Sequence, residues 1–221
     1  TQIGGILKKG SPDEVATSTS IYTRVGIERA VRYAFELARS RASASNKPGH
    51  LTLVDKANAI RPQEIWTRVF AEVGKDYPDI KQDHAYVDAF AMLMIQKPEY
   101  YDTIVTTNLY GDILTDLGSM LQGGIGIAAS ANLHPGKTSM FEPIHGSAPD
   151  IAGKGIACPL AAIMAAGMML DYLGESDSAN RIESSVEHLL ASGQITSLDA
   201  TSGLSTTQIG DMVVGQVRKS K

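Results

Sequence analysis

Cysteine is almost absent from this chain, with Cys158 standing alone among 221 residues. An internal disulfide framework is therefore excluded, and a reducing compartment fits. Long apolar runs are missing too. The longest, Leu160 to Leu170 around Gly167, falls short of the roughly 20 residues that a membrane-spanning helix needs. The opening residues, Thr1-Gln2-Ile3-Gly4-Gly5, lack a basic region followed by an apolar core, so no secretory signal is read there. Nor is there a positive excess: 20 Lys and Arg stand against 24 Asp and Glu, a net charge of −4. That balance argues against a nucleic-acid backbone as the main partner. The expectation is a cytoplasmic protein with neither membrane nor nucleic-acid attachment.

What is present is ordinary for a soluble globular protein. Hydrophobic residues make up 43% and charged residues 20%, enough for one large or two small domains with a real core. Residues 1–20 are rich in Gly, Ser, Thr and Lys and read as loop or edge strand. From Gly26 to Ser40, Ile27, Val31, Ala34, Phe35 and Ala38 recur at helical spacing. A polar connector is expected from Arg39 to Gly49, followed by a short buried strand, Leu51 to Val54, that delivers Asp55, Lys56 and Asn58 at its end. Arg61 to Gly74 reads as a helix with Ile65, Trp66, Val69 and Phe70 inward, and Tyr77-Pro78-Asp79 as a turn. Asp83 to Met92 reads as a strand that becomes a helix near Asp88.

The second half repeats this grammar. An extended run, Thr103 to Thr107, is followed by a helix over 111–122 and a glycine-rich passage, Gly123 to Ala128. Phe141 to Pro159 is expected to be irregular. Leu160 to Leu173 is apolar almost all round and is expected to be a core helix. Two further helices follow, Ser176 to Leu190 and Ser205 to Val217, the last capped by Ser205 or Thr207. Alternating strands and helices indicate an α/β fold with a partly parallel sheet.

Asp112 and Asp116 lie one helical turn apart on one face, and no basic residue occurs between Gly111 and Gly126. Two such acids repel by about a few tenths of a kcal/mol. A Mg²⁺ or Mn²⁺ ion would relieve that repulsion, since both prefer carboxylate oxygens; a solvated acidic face is the alternative. Lys56 is either a desolvated proton carrier or a surface lysine. Asp88, between Val87 and Ala89-Phe90, is expected to be half buried and to need a partner. His145-Gly-Ser-Ala-Pro-Asp150 reads as a ligand loop, because its small residues admit close backbone approach and Asp150 can accept from ribose hydroxyls; a surface loop is the other reading. Gly124-Ile-Gly126-Ile-Ala-Ala129 fits a dinucleotide fingerprint only superficially, since it follows a helix and opens none. Its glycines are read as a crossing between domains, and Cys158 as a small buried residue.

Taken together, Val54-Asp-Lys-Ala-Asn58, Tyr86-Val-Asp-Ala-Phe-Ala-Met92, Asn108-Leu-Tyr-Gly-Asp-Ile-Leu-Thr-Asp116 and Phe141-Glu-Pro-Ile-His-Gly-Ser-Ala-Pro-Asp-Ile-Ala-Gly-Lys-Gly-Ile-Ala157 resemble the β-decarboxylating dehydrogenase family. Its members act on isopropylmalate, isocitrate, homoisocitrate, tartrate or D-malate, and all four motifs fall in family order. The surroundings of Lys56 and Asp88 resemble the isopropylmalate branch, which serves leucine biosynthesis. Ile127 to Pro135 leans toward the tartrate/malate branch.

The resemblance implies a set of roles. Asp112 and Asp116, with Asp88 of a neighbouring subunit, match Mg²⁺ or Mn²⁺ ligands. Lys56 matches the lysine that takes the substrate's hydroxyl proton across a dimer interface. Asn58 matches the residue beside the nicotinamide. His145, Gly146, Ser147, Ala148 and Asp150 match the loop around adenosine, and Asp199 a further adenine-side contact. An acid at 150 disfavours the 2′-phosphate of NADP, which points to NAD. Residues 1–122 would then be a small dimerisation and metal-bearing domain, and 123–221 the C-terminal part of the NAD-binding domain.

Departures accompany the likeness. The strand, glycine loop and substrate-gripping arginines with which the family begins have no counterpart in these residues. Leu7 stands where the catalytic tyrosine is expected, and Tyr22 aligns with the lead into a helix instead. Cys158 takes the place of an adenine-contacting asparagine. The expected partners are therefore a small 2-hydroxy acid and a second copy of the chain, or else a chain that supplies the N-terminal part. A non-catalytic relative acting as an interaction or regulatory subunit is the alternative of another class.

Overall fold

A computed structural model describes residues 2–198 and 203–220. Short polar and β-branched residues on either side of a tight turn make the first elements. There β1 (Gln2–Leu7) pairs antiparallel with β2 (Val15–Ser20), Leu7 opposite Val15. Lys8 and Gly10 turn the chain at φ 53° and 80°. What read as loop or edge strand is thus a two-stranded ribbon. Residues 3–20 are exposed throughout.

Thr23 caps α1 (Arg24–Ser45) by accepting from the Gly26 N–H at 3.3 Å. Its buried stripe is Ile27, Val31, Ala34, Phe35 and Ala38. The helix runs to Ser45, through much of what read as a polar connector. Ser43 and Ser45 donate to the helix's own carbonyls at Arg39 and Arg41, at 3.1 and 2.8 Å. Arg39 makes a two-pronged pair with Asp79 at 2.8 and 2.6 Å, and Arg41 meets Asp102 at 2.7 Å. The polar face is therefore anchored by partners distant in sequence, and Asn46, at φ 53°, ends the helix in the left-handed region.

Six consecutive buried residues form β3 (His50–Asp55). After a 3₁₀ turn, Arg61–Gln63, comes α2 (Glu64–Val73), which buries Trp66, Val69, Phe70 and Val73. The chain continues through β4 (Lys81–Tyr86), α3 (Val87–Gln96), β5 (Thr103–Thr106) and α4 (Asn108–Leu121). The sheet is wholly parallel in the order β4-β3-β5, which explains why β3 carries a continuous apolar run instead of an alternating one. Under it, Phe35 stacks on Phe70 and Tyr77, with centroids 5.3 and 4.6 Å apart. Full burial of a side chain such as Phe35 stabilises by about 1.5–3 kcal/mol.

Packing divides the chain into two units, Thr1–Leu114 and Thr115–Lys221. In the second, β6 (Ala129–Asn132) and β7 (Met140–Pro143) form an antiparallel ribbon, so the start of the stretch expected to be irregular is strand. It is followed by α5 (Leu160–Tyr172), α6 (Ser176–Ala191) and α7 (Thr206–Lys219). Leu160, Val186, Leu189, Ile195, Ile209 and Val213 form the core. Ser205 and Gln208 close a reciprocal capping box at the head of α7.

The expectation that α5 is a core helix holds for one side only. Leu160, Ala161, Ala165 and Gly167 are buried, whereas Met168, Met169, Tyr172 and Leu173 are exposed. Gly167 faces Ile182 of α6, and Tyr172 meets Phe141 of β7 at 5.6 Å between centroids. Within the described residues of the unit, Met168, Met169, Tyr172 and Leu173 stay at least partly uncovered. Among the described residues no helix is long and apolar enough to cross a membrane.

Candidate active site

Three charged side chains of the first unit, Asp55, Lys56 and Asp88, gather at or just past the ends of β3 and β4. Asp55, the last residue of β3, is level with Tyr86, the last of β4. The residues that follow each strand end therefore emerge side by side. Lys56 Nζ meets Asp88 Oδ1 at 2.7 Å. The lysine side chain is 23% exposed and that of Asp88 66%. Asp88 is thus exposed, not half buried as expected: it sits in the first turn of α3, where its carboxylate leans into solvent toward the lysine. Its carboxyl is held below the usual range, first by the Lys56 ammonium and then by its own backbone amide.

Below this pair Asp55 is fully buried, accepting from the Ala57 N–H at 2.9 Å and lying 3.1 Å from His84 Nε2. Asn58 is exposed on the loop that follows. The Lys56 N–H donates to Oε1 of buried Gln63 at 2.7 Å, and Gln63 Nε2 donates to the Tyr22 hydroxyl at 3.0 Å. Leu7, at the expected tyrosine position, is exposed on β1.

Asp112 and Asp116 are both exposed on α4, which starts three residues earlier than the spacing suggested. Among the described residues no three His, Cys, Asp or Glu side chains of one chain converge on a metal-sized point. The expected ligand set takes Asp88 from a second subunit.

The second unit holds a cavity of about 1320 Å³, above the roughly 300–1,000 Å³ of ordinary small-molecule pockets. His145, Gly146, Ser147 and Ala148 all line it. Asp150 is exposed beside this lining and is not part of it. Asp199 lies outside the described residues. Ala148 adopts φ 44°, a left-handed backbone that favours glycine and concentrates at ligand loops.

The cavity also recruits residues that sequence reasoning missed or assigned otherwise. Gly123, Gly124 and Gly126, read as a crossing, form part of its wall, along with Thr196, Leu198 and Thr206. A Cβ at Gly126 would stand 2.5 Å from the Leu198 carbonyl oxygen and 3.2 Å from Cys158 Cβ. Glycine is needed there for close approach, and the density of glycines was the available signal. Cys158 is half buried on the same wall, not closed into the core as expected. Burial pushes its thiol up, and the Leu160 N–H pulls it partly back.

The fold matches that of decarboxylating dehydrogenases. An isocitrate dehydrogenase structure from Methylococcus capsulatus superposes with a TM-score of 0.87 at 39% identity, over 99% of this chain and 63% of that one. A β-decarboxylating dehydrogenase from Thermococcus kodakarensis gives 0.81 at 32% identity, over 99% and 61%. The chain belongs to the isocitrate/isopropylmalate dehydrogenase family, whose profile matches residues 4–213. Among curated relatives, 3-isopropylmalate dehydrogenase of Thermobifida fusca is 46% identical over 220 residues, covering 97% of this chain and 59% of its own length. That of Corynebacterium glutamicum (strain ATCC 13032) is 46% identical over 214 residues, covering 96% and 60%. The chain therefore spans about three-fifths of the length of these relatives.

Proposed function

We propose that this chain contributes the metal-bearing and adenosine-binding parts of an NAD-dependent dehydrogenase that oxidatively decarboxylates a malate-type 2-hydroxy acid, 3-isopropylmalate above others. The observation that carries this reading is the Lys56–Asp88 pair, 2.7 Å apart at the ends of adjacent parallel strands. It supports the reading because it brings an amine and a carboxylate side by side. The names of the 46%-identical relatives support isopropylmalate as the substrate.

The residues present suit both a divalent cation and NAD. Asp112 and Asp116 offer two exposed carboxylates one turn apart, with no basic side chain on their stretch of helix, a hard-oxygen set that suits Mg²⁺ or Mn²⁺. The glycine-walled cavity, with His145 to Ala148 at its rim and Asp150 beside it, has the volume and close backbone approach that an adenosine needs. Asn58 and Asp199 are assigned to the nicotinamide and adenine sides. When bound, NAD⁺ accepts a hydride and the cation acts as a Lewis acid toward substrate oxygens.

The chain's own part is proton handling and placement. Lys56 Nζ takes the proton of the substrate hydroxyl. Asp88 holds Nζ in position through their 2.7 Å contact. The acidic ligand set requires a second copy of the chain. Exposed Ile3, Ile6, Met92, Ile95, Leu109 and Ile113 support a homodimer through residues 1–122; residues 123–221 are assigned to cofactor binding.

NADH production tests the reading, with NAD⁺ and Mn²⁺ against 3-isopropylmalate, isocitrate, D-malate and tartrate. Turnover with one of them, abolished by Lys56→Gln, is expected. Silence across the panel from a folded dimer would shift the assignment to a non-catalytic, regulatory relative.

A further inference from the structure

We infer that Gln63 is a positioning residue for Lys56: its buried amide, anchored on Tyr22, fixes the backbone from which the lysine reaches Asp88. The inference rests on Lys56 being the proton-accepting group.

Gln63 is only 2% exposed, although glutamine is ordinarily a surface residue. Both ends of its amide are used. Oε1 faces an N–H, so it must accept, which assigns Nε2 as the donor to the Tyr22 oxygen. Tyr22 is itself packed against the core of the first unit. The hydroxyl of Tyr22 is thus held in place by packing, and through the amide it holds the Lys56 N–H.

The carbonyl of Lys56 is held as well. It accepts from the N–H groups of Ala59 and Ile60 at 3.0 and 2.8 Å, and Gln63 N–H closes the turn on the Ile60 carbonyl at 2.8 Å. Asp55, one residue before, binds the Ala57 N–H. Every polar backbone group of Lys56 therefore has a named partner, and Gln63 is the one reached by a side chain from outside the strand end. Removing it leaves an unpaired amide N–H beneath a part-buried lysine, and the strand end is free to shift. Displacements of that kind misplace a reacting group by a fraction of an ångström to an ångström.

The test reads placement directly. A zero-length carbodiimide joins Lys56 Nζ to the Asp88 carboxylate as an amide with loss of water, and peptide mass spectrometry measures its yield. In Gln63→Met, of similar volume, the yield is expected to fall about threefold with far-UV dichroism unchanged. Gln63→Glu, which keeps an acceptor for the Lys56 N–H, restores most of it. In NADH production Gln63→Met lowers kcat about tenfold and leaves KM within about twofold.

A wild-type cross-link yield in folded Gln63→Met overturns the inference. Should that variant not fold, Tyr22→Phe removes only the oxygen that receives Nε2–H and carries the same two outcomes. Lys56→Gln separates the two readings: if it turns over as fast as wild type, the proton-accepting role fails, while the cross-link still decides Gln63.

Discussion

The carboxylate of Asp55, wholly buried at the end of β3, lies 3.1 Å from Nε2 of His84 on the neighbouring strand β4. Its other oxygen binds the Ala57 N–H at 2.9 Å. One buried acid thus ties two strands and the loop that bears Lys56. Asp55→Ala removes both contacts and leaves the Ala57 N–H without its acceptor, at an expected cost of about 2 kcal/mol of unfolding free energy. Asp55→Asn keeps an acceptor for Ala57 and costs less. Urea unfolding at neutral pH ranks the two, and equal stability of all three proteins would refute the assignment.

Asp83 contributes to acid stability. It accepts from the Tyr100 hydroxyl at 2.6 Å, with His50 Nε2 at 2.8 Å and Lys81 Nζ at 3.3 Å. Tyr100 first, then His50 and Lys81, hold its carboxyl below the usual range. A carboxyl with a lowered folded pKa stabilises above its unfolded value, about 3.9, and that stabilisation disappears as pH falls through the folded value. Unfolding midpoints measured from pH 5 to 2 should therefore drop less steeply in Asp83→Asn than in wild type.

Cys158 should label slowly. Burial raises its thiol pKa, so less thiolate is present near pH 8 than in an ordinary cysteine. Its rate with a chromogenic disulfide should keep climbing beyond the pH at which a free thiol levels off. If the cavity holds adenosine, NAD⁺ at about ten times its Kd slows labelling close to tenfold. Labelling indifferent to NAD⁺ counts against that occupant.

Asp112 tests the metal. Removing one carboxylate charge from an all-oxygen site weakens the cation by about tenfold or more. Calorimetric Mn²⁺ titration of Asp112→Asn against wild type measures this directly. Equal affinity would remove Asp112 from the ligand set.

Much of this was legible from spacing. The apolar stripe Ile27–Val31–Ala34–Phe35–Ala38 and the run Leu51–Val54 are local patterns, and both became buried elements where expected. What escaped depended on partners far along the chain. α1 outlasts its apolar stripe because Asp79 and Asp102 pair with Arg39 and Arg41. β6 and β7 are short and, among the described residues, pair with each other alone, so neither carries a hydrophobic alternation of its own. Asp88 read as half buried from its apolar neighbours, yet helix geometry turns Phe90 inward and the acid outward. At the cavity, four loop residues were legible as a ligand motif. The Gly126 wall was not, because it depends on Leu198, distant in sequence.

The single tryptophan and the single cysteine fall on opposite sides of the division at residue 114. Trp66 is buried in the core of the first unit, and Cys158 is half buried in the second. Each half thus carries its own native reporter, one optical and one chemical, with no engineered label. Denaturant curves followed by indole emission and by thiol trapping will coincide if the chain melts as one cooperative block. Separate midpoints would mean that each half keeps its own thermodynamic ledger.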